Sequence, residues 1–103
     1  MLYMISKDDK VILGILKALA NPIRIHTIKQ LNAGEQCVCS IVEKQKLSQN
    51  LASHHLAILR ENKLIVARKE GKWVHYSLNH KKFILIQSFI ESISIPGNKK
   101  SKC

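Results

Sequence analysis

The stretch LSQNLASHHLAILRENKLI, residues Leu47–Ile65, decides the fold of this chain. Ser48 is a suitable N-cap, and the apolar spacing after it predicts a helix from Gln49 to about Glu61. A second face of this helix carries small and hydrogen-bonding residues, and no acidic residue occurs between Gln49 and Arg60. A solvated surface helix would normally carry Glu/Lys pairs there, whereas a carboxylate would repel phosphates. The face therefore favours contact with a polyanion.

Three further helices are predicted upstream of this stretch. A short helix over Glu35–Lys46 ends at a tight turn, Leu47-Ser48, and two short helices joined in this way are typical of a helix-turn-helix. Before it, apolar spacing predicts one helix from Asp8 to Leu19 and another that starts at Asn21-Pro22 and runs to about Leu31.

Downstream, β-branched and aromatic residues on both sides of Glu70-Gly71 predict a β-hairpin with a basic tip. A last helix, from Lys81 to about Ser94, is apolar on most sides and needs two packing partners. We expect the second partner to be another copy of the chain, which makes a homodimer through the first and last helices. The expected fold is mainly α with a small β-hairpin: a winged helix-turn-helix of about five helices plus a two-stranded wing.

Composition sets the class of protein and of partner. The 103 residues include 17 Lys and Arg against 7 Asp and Glu, a formal charge of +10 that favours a polyanionic partner, either nucleic acid or an anionic membrane surface. The basic residues are spread over the wing, the tail and the turns and not along one helix, which argues against the membrane surface. We expect residues 1–95 to form one DNA-binding and dimerisation domain and residues 96–103 to form a flexible basic tail. No apolar run is long enough to span a membrane, and the start of the chain, at Met1 or Met4, does not resemble a signal peptide. Three cysteines, an odd number, favour reduced thiols and a cytoplasmic location.

The chain resembles the ArsR/SmtB family of metal- and metalloid-responsive repressors. The most specific motifs are Leu-Ser-Gln…Ser-His-His-Leu, ending at Leu56, and the wing motif Glu-Gly-Lys-Trp-Val-x-Tyr, ending at Tyr76. Four segments carry the resemblance, in the family's order: LKALANPIRIHTIKQL (Leu16–Leu31), EQCVCSI (Glu35–Ile41), LSQNLASHHLAILRENKLI (Leu47–Ile65) and ARKEGKWVHYSL (Ala67–Leu78). The resemblance implies a homodimeric winged-helix repressor, without catalytic residues, that leaves its operator when an inducer binds. It departs from the family at Lys63, where glycine is usual, so we expect the left-handed turn to pass to Asn62.

The DNA contacts are expected on the wing and on the helix from Gln49 to about Glu61, which is called the recognition helix from here on. Base-reading residues in the major groove are predicted to be Ser48, which also caps the helix, Gln49, Asn50, Ser53 and His54. His55, on the flank, is expected to touch phosphate, and Arg60 either contacts DNA or braces the domain. Wing residues expected at phosphates or in the minor groove are Arg68, Lys69 and Lys72. A twofold dimer places two recognition helices ~34 Å apart, so the operator should be an imperfect palindrome.

Cys37 and Cys39 are the candidate inducer site. The start of a helix favours thiolates, which are soft ligands for As(III), Sb(III), Cd(II), Pb(II) or Zn(II). Residues two apart on an intact helix point about 200° away from each other, so both reach one ion only if the first turn unwinds. The resemblance implies an arsenic/antimony site. Its third ligand in some relatives falls near Val42, which leaves Cys103, an exogenous thiol or no ligand at that position.

Other interpretations of the sequence remain. The family's second metal site, which uses Asp and His on the last helix, is not among them, because Lys81–Ser94 contains neither residue. A redox or reactive-sulfur switch would use the same thiols, with Cys103 pairing with Cys37 or Cys39, because a direct Cys37–Cys39 bond is expected to be awkward. A winged-helix interaction module without specific DNA binding is the third interpretation, and the charge and the acid-free helix argue against it. No cofactor is expected for DNA binding, and no phosphate loop or carboxylate pair favours an enzyme.

Overall fold

The computed structural model describes residues 5–97. The described elements are α1 (Lys7–Leu19), α2 (Pro22–Asn32), β1 (Gln36–Cys37), α3 (Val38–Gln45), α4 (Gln49–Glu61), β2 (Ile65–Glu70), β3 (Trp73–Leu78) and α5 (His80–Ser94). These five helices and the β2–β3 hairpin confirm the predicted winged helix-turn-helix. The alternative starts Met1 and Met4, and most of the predicted tail, including Cys103, lie outside the described residues.

Polar side chains start the helices where the sequence indicates. The Asn21 side chain accepts hydrogen bonds from the backbone N–H groups of Ile23 and Arg24, with Pro22 in the first turn. The Ser48 hydroxyl accepts from the N–H of Leu51 at 3.1 Å. Each cap satisfies amide groups that have no partner inside the helix. The helix-turn-helix is therefore fixed locally at the start of α4.

One core joins the helices to the base of the wing. Its buried residues are Ile15, Ala18, Leu31, Ile41, Leu56, Leu59, Leu64 and Ile65. They come from α1 to α4 and from the chain that enters β2. Because Leu56 and Leu59 lie on the inner side of α4, the opposite side of that helix is free for a ligand.

The third helix starts later than predicted. Residues Gln36–Cys37 form the short strand β1, which pairs antiparallel with β3 and gives the sheet order β1-β3-β2. Gly34, at φ 139°, separates α2 from this strand. The apolar spacing of Glu35–Lys46 predicted a helix from neighbouring residues alone. The pairing of Gln36 and Cys37 with β3 involves residues about forty positions away, so that spacing could not predict it. The expected two-stranded wing is therefore three-stranded at its base.

The end of α4 corrects the prediction for Asn62. Asn62 has an ordinary negative φ, and Lys63 takes the left-handed conformation at φ 61°. The Lys63 N–H donates to the Arg60 carbonyl at 2.9 Å, and the Leu64 N–H donates to the Leu59 carbonyl at 3.0 Å. This pair of bonds places the left-handed residue just before Leu64, whatever its side chain.

No single helix among residues 5–97 is both long enough and apolar enough to cross a membrane. Taken together, α1 and α2 meet that length and composition, but the chain bends by 98° between them.

Candidate nucleic-acid interface and cysteine pair

The outer face of α4 carries mostly polar side chains, together with the exposed Leu51 and Ala57. All the predicted base-reading residues are exposed on it: Ser48, Gln49, Asn50, Ser53 and His54. Ala52, Leu56 and Leu59 are buried on the other side. The amides of Gln49 and Asn50 can each donate and accept in a pair of bonds to adenine. Arg60 is also exposed, one helical turn or more beyond this group, beside Glu61.

His55 does not lie on this surface. Only 7% of the residue is exposed, and its Nδ1 lies 2.9 Å from Nη1 of Arg24 on α2. Burial, the Arg24 charge and the neighbouring His54 all hold the pKa of His55 below its usual value. The expected phosphate contact is therefore corrected, because the imidazole is turned inward and is held by an arginine.

The wing presents fewer free cations than its sequence indicates. Arg68 makes two bonds to the Glu35 carboxylate, at 2.6 and 3.1 Å, and a third to Glu70 at 2.9 Å. These carboxylates raise the pKa of Arg68, and Arg68 in turn lowers the pKa of Glu35. The guanidinium predicted to meet phosphate is thus engaged by two acids.

Lys69 and Lys72 form no ion pair with any residue between 5 and 97. The Nζ of Lys72 lies 5.8 Å from the centre of the Trp73 ring, and that ring is half exposed. Gly71, at φ 60°, makes the turn that holds these side chains at the tip. The wing tip therefore combines two free cations with an exposed aromatic ring.

Cys37 and Cys39 are joined by a disulfide bond, with their Cα atoms 5.4 Å apart. Cys37 is the extended residue just before α3, and Cys39 lies in the first turn of that helix. The expectation that a direct bond is awkward is wrong, because it assumed that both residues belong to one intact helix. For the same reason, the two sulfur atoms can approach each other without unwinding the first turn.

The surroundings of the pair contain little else that binds a metal. Within residues 5–97 there is no group of three or more His, Cys, Asp or Glu side chains placed to hold an ion. Cys37 is half-buried and lies opposite His75 in the β1–β3 pairing, whereas Cys39 is exposed. Once reduced, the pair offers two thiolates, one of them open to solvent, which suits a thiophilic ion.

Two charged residues in this region were missed by the sequence reasoning. Arg24 bonds to His55, and Glu35 connects the segment before Cys37 to Arg68 in the wing. Arg24 carried a usable signal, because a cation in the first turn of a helix is disfavoured by the helix dipole unless it has another partner. Glu35 carried none, since its partner is 33 residues away.

The chain is similar to a known protein family, to curated relatives and to solved structures. A family model described as "Bacterial regulatory protein, arsR family" matches residues 21–65, which include the cysteine pair and α4. The chain is 33% identical over 89 residues to the arsenical resistance operon repressor of Staphylococcus aureus, covering 86% of this chain and 83% of the relative. It is 44% identical over 66 residues to the arsenical resistance operon repressor of Escherichia coli K12, covering 63% of this chain and 56% of the relative. The solved structure of HlyU from Vibrio cholerae matches with a TM-score of 0.70 at 30% identity, covering 86% of this chain and 97% of that one.

Proposed function

Because the chain belongs to the arsR family of bacterial regulatory proteins, which are DNA-binding transcriptional repressors and not enzymes, we propose that As(III) or Sb(III) is its inducer. In this proposal a homodimer binds operator DNA and releases it when the metalloid binds Cys37 and Cys39. The observation that carries the proposal is the position of the cysteine pair. It lies where β1, which is paired with the wing strand β3, passes directly into α3, the first helix of the helix-turn-helix.

The DNA contacts proposed are those of the exposed polar surface of α4 and the wing tip. The full α4 set is Ser48, Gln49, Asn50, Ser53 and His54, with Arg60 at the helix end. Lys69 and Lys72 reach phosphates on either side of the major groove. Two such units in a twofold dimer sit one turn of B-DNA apart, ~34 Å, and read an imperfect palindrome.

Dimerisation through α1 and α5 is supported by the apolar side chains that these helices leave uncovered. No residue of α5 is buried in the single chain, although the helix is largely apolar. The exposed large apolar residues on the two helices are Leu13, Leu16, Ile84, Ile90 and Ile93. An exposed apolar surface of this kind favours a protein interface, and a second copy of the chain covers both helices at once.

The reduced cysteine pair supplies two sulfur ligands to the inducer. As(III) and Sb(III) are the proposed ions because of the thiolate chemistry and because the two relatives above are named arsenical resistance repressors. Cd(II), Pb(II) and Zn(II) are the alternatives. Cys103, which lies outside the described residues, or an exogenous thiol is proposed as the third ligand.

Release follows from the place of the pair in the fold. An ion held by both sulfur atoms fixes the end of β1 to the first turn of α3 in a new geometry. Since α3 packs against α4 and β1 pairs with β3, both DNA-contacting elements respond. The coupling required is modest, because ~1–3 kcal/mol changes an affinity ~5–150-fold.

The test is an As(III) titration of the reduced protein on a fluorescent duplex from its own promoter region, read as anisotropy. We expect release by the unmodified chain, loss of release in Cys37→Ser and Cys39→Ser, and unchanged binding of all three to the duplex without As(III). Cys103→Ser is the control for the third ligand. Normal release by both single serine variants would show that the inducer binds elsewhere.

A second candidate, a redox-responsive repressor, is favoured by the disulfide itself. Hydrogen peroxide would take two hydrogen atoms from the Cys37 and Cys39 thiols, forming the S–S bond and two water molecules. The same anisotropy assay with peroxide in place of As(III), followed by non-reducing mass spectrometry, separates the candidates. Equal DNA affinity of the reduced and the disulfide-bonded protein would exclude this one.

A further inference from the structure

Arg24 connects three helices at one point. Its Nε donates to the Ala18 carbonyl at 2.5 Å, and its Nη2 donates to the Lys17 carbonyl at 3.4 Å. Both carbonyls belong to the last turn of α1, where a cation is favoured by the dipole. The Lys17 carbonyl also accepts from the N–H of Ala20, the residue that ends the helix, at 3.3 Å. The remaining nitrogen, Nη1, lies 2.9 Å from Nδ1 of His55 on α4.

The chemistry of this contact fixes the state of His55. A guanidinium has donors only, so Nδ1 of His55 has to accept, and the ring must be neutral with its proton on Nε2. A protonated ring would place two cationic donors in contact inside a buried site. The contact therefore exists only while His55 is neutral.

We propose that the Arg24–His55 hydrogen bond is a positioning contact that holds the recognition helix α4 in its DNA-binding orientation, and that protonation of His55 weakens operator binding without any thiol chemistry. The proposal rests on the DNA binding proposed above but not on the identity of the inducer. Neither residue touches DNA in it. Arg24 acts through His55, and His55 acts through the helix that carries it.

The position of His55 explains why this bond affects binding. It directly follows Ser53 and His54, two of the proposed base contacts, and the rings of His54 and His55 meet edge to face at 5.1 Å. Arg24 joins α2 to α1 through the Ala18 carbonyl. Its hydrogen bond to His55 therefore fixes α4 to both helices, at a position next to the proposed base-reading residue His54. Losing it lets the helix rotate or shift, and placement errors of this kind reduce affinity.

The charged and titratable groups that bear on His55 are Arg24 from α2 and His54 from α4 itself. Burial, then the Arg24 charge and then His54 lower the pKa of His55. His55 therefore protonates less readily than an ordinary histidine, which agrees with the neutral ring that the Arg24 contact requires.

The experiment measures operator affinity between pH 5.5 and 8 for the reduced 103-residue chain without inducer, with circular dichroism at each pH to establish folding. His55→Asn is the informative variant, because its side-chain oxygen can accept at the position of Nδ1 and does not titrate. We expect it to bind near wild-type affinity at pH 7.5 and to lack the loss of affinity that the wild type shows as the pH falls below about 6.5. Arg24→Met should bind about tenfold or more weakly at every pH. His26→Asn, the same change at an exposed histidine of α2, should keep the wild-type profile.

The outcomes separate the two proposals. Wild-type protein that does not distinguish its promoter duplex from a random duplex would overturn both. Specific wild-type binding with identical pH profiles for wild type and His55→Asn would overturn the positioning role alone. If Arg24→Met does not fold, the comparison of wild type with His55→Asn still decides, because both are measured as folded proteins.

Discussion

At the scale of single residues, the two left-handed lysines show how backbone geometry overrides side-chain preference. Lys46, at φ 54°, ends α3, and Lys63, at φ 61°, follows α4. Each precedes a leucine whose N–H bonds back into the helix, Leu47 to the carbonyl of Val42 and Leu64 to that of Leu59. Leu64 is completely buried, so the bond and the core contact together impose the conformation on Lys63.

Replacing Lys63 with glycine should stabilise the protein. The left-handed conformation costs a residue with a Cβ about 1–2 kcal/mol, and glycine's greater freedom in the unfolded chain offsets part of the gain. We expect Lys63→Gly to raise the free energy of unfolding by about 0.5–1 kcal/mol, seen as a melting temperature a few degrees higher. Lys63→Ala removes the same charge but keeps the Cβ, so it should show no such gain. A glycine variant no more stable than the alanine variant would contradict the argument.

At the scale of elements, the wing is tied to the cysteine segment by side chains as well as by the sheet. Glu35 precedes β1 by one residue and grips Arg68 of β2, while Glu70 holds the same guanidinium from the other side. All three are exposed, so the pairs contribute little to folding. The main effect of these ion pairs is that the positive charge of Arg68 is neutralised and is less available to DNA phosphates.

Releasing Arg68 should strengthen the electrostatic part of DNA binding. In Glu35→Gln/Glu70→Gln the guanidinium loses both carboxylate partners and can meet a phosphate. We expect the slope of log affinity against log salt to steepen by about one, the value for one added phosphate contact. Lys69→Gln, which removes a free wing cation, should flatten the slope by a similar amount. An unchanged slope in the double variant would mean that Arg68 stays away from DNA even when it is free.

At the scale of the whole molecule, prediction from sequence succeeded where signals were local. The caps at Asn21 and Ser48 and the turn at Gly71 depend only on residues close by in the chain. These local signals were enough to predict the order of the helices and of the hairpin. Prediction failed where partners are distant in the chain, as with the pairing of Cys37 opposite His75, which shortened α3 and brought two sulfur atoms together. Prediction failed for the same reason at His55, whose side chain is buried against Arg24, a residue 31 positions away in the chain.

The apolar side chains that α1 and α5 leave exposed carry the last prediction. Ile93 is 66% exposed and Ile84 is 58% exposed in the single chain, so a charge at either position can remain in solvent there. In a dimer the same charge would be buried without a partner, at a cost of several kcal/mol. We therefore expect Ile84→Glu/Ile93→Glu to be a folded monomer by light scattering, with a melting temperature that no longer depends on concentration.

Loss of the dimer should also reduce operator affinity, because a monomer can hold only one half-site and gains nothing from the second. Ile25→Glu on α2 is the matched control: it also places a charge at an exposed isoleucine, outside α1 and α5, and should remain dimeric. If the unmodified chain is itself monomeric at micromolar concentration and still binds the palindrome tightly, then α1 and α5 serve some purpose other than pairing two recognition helices.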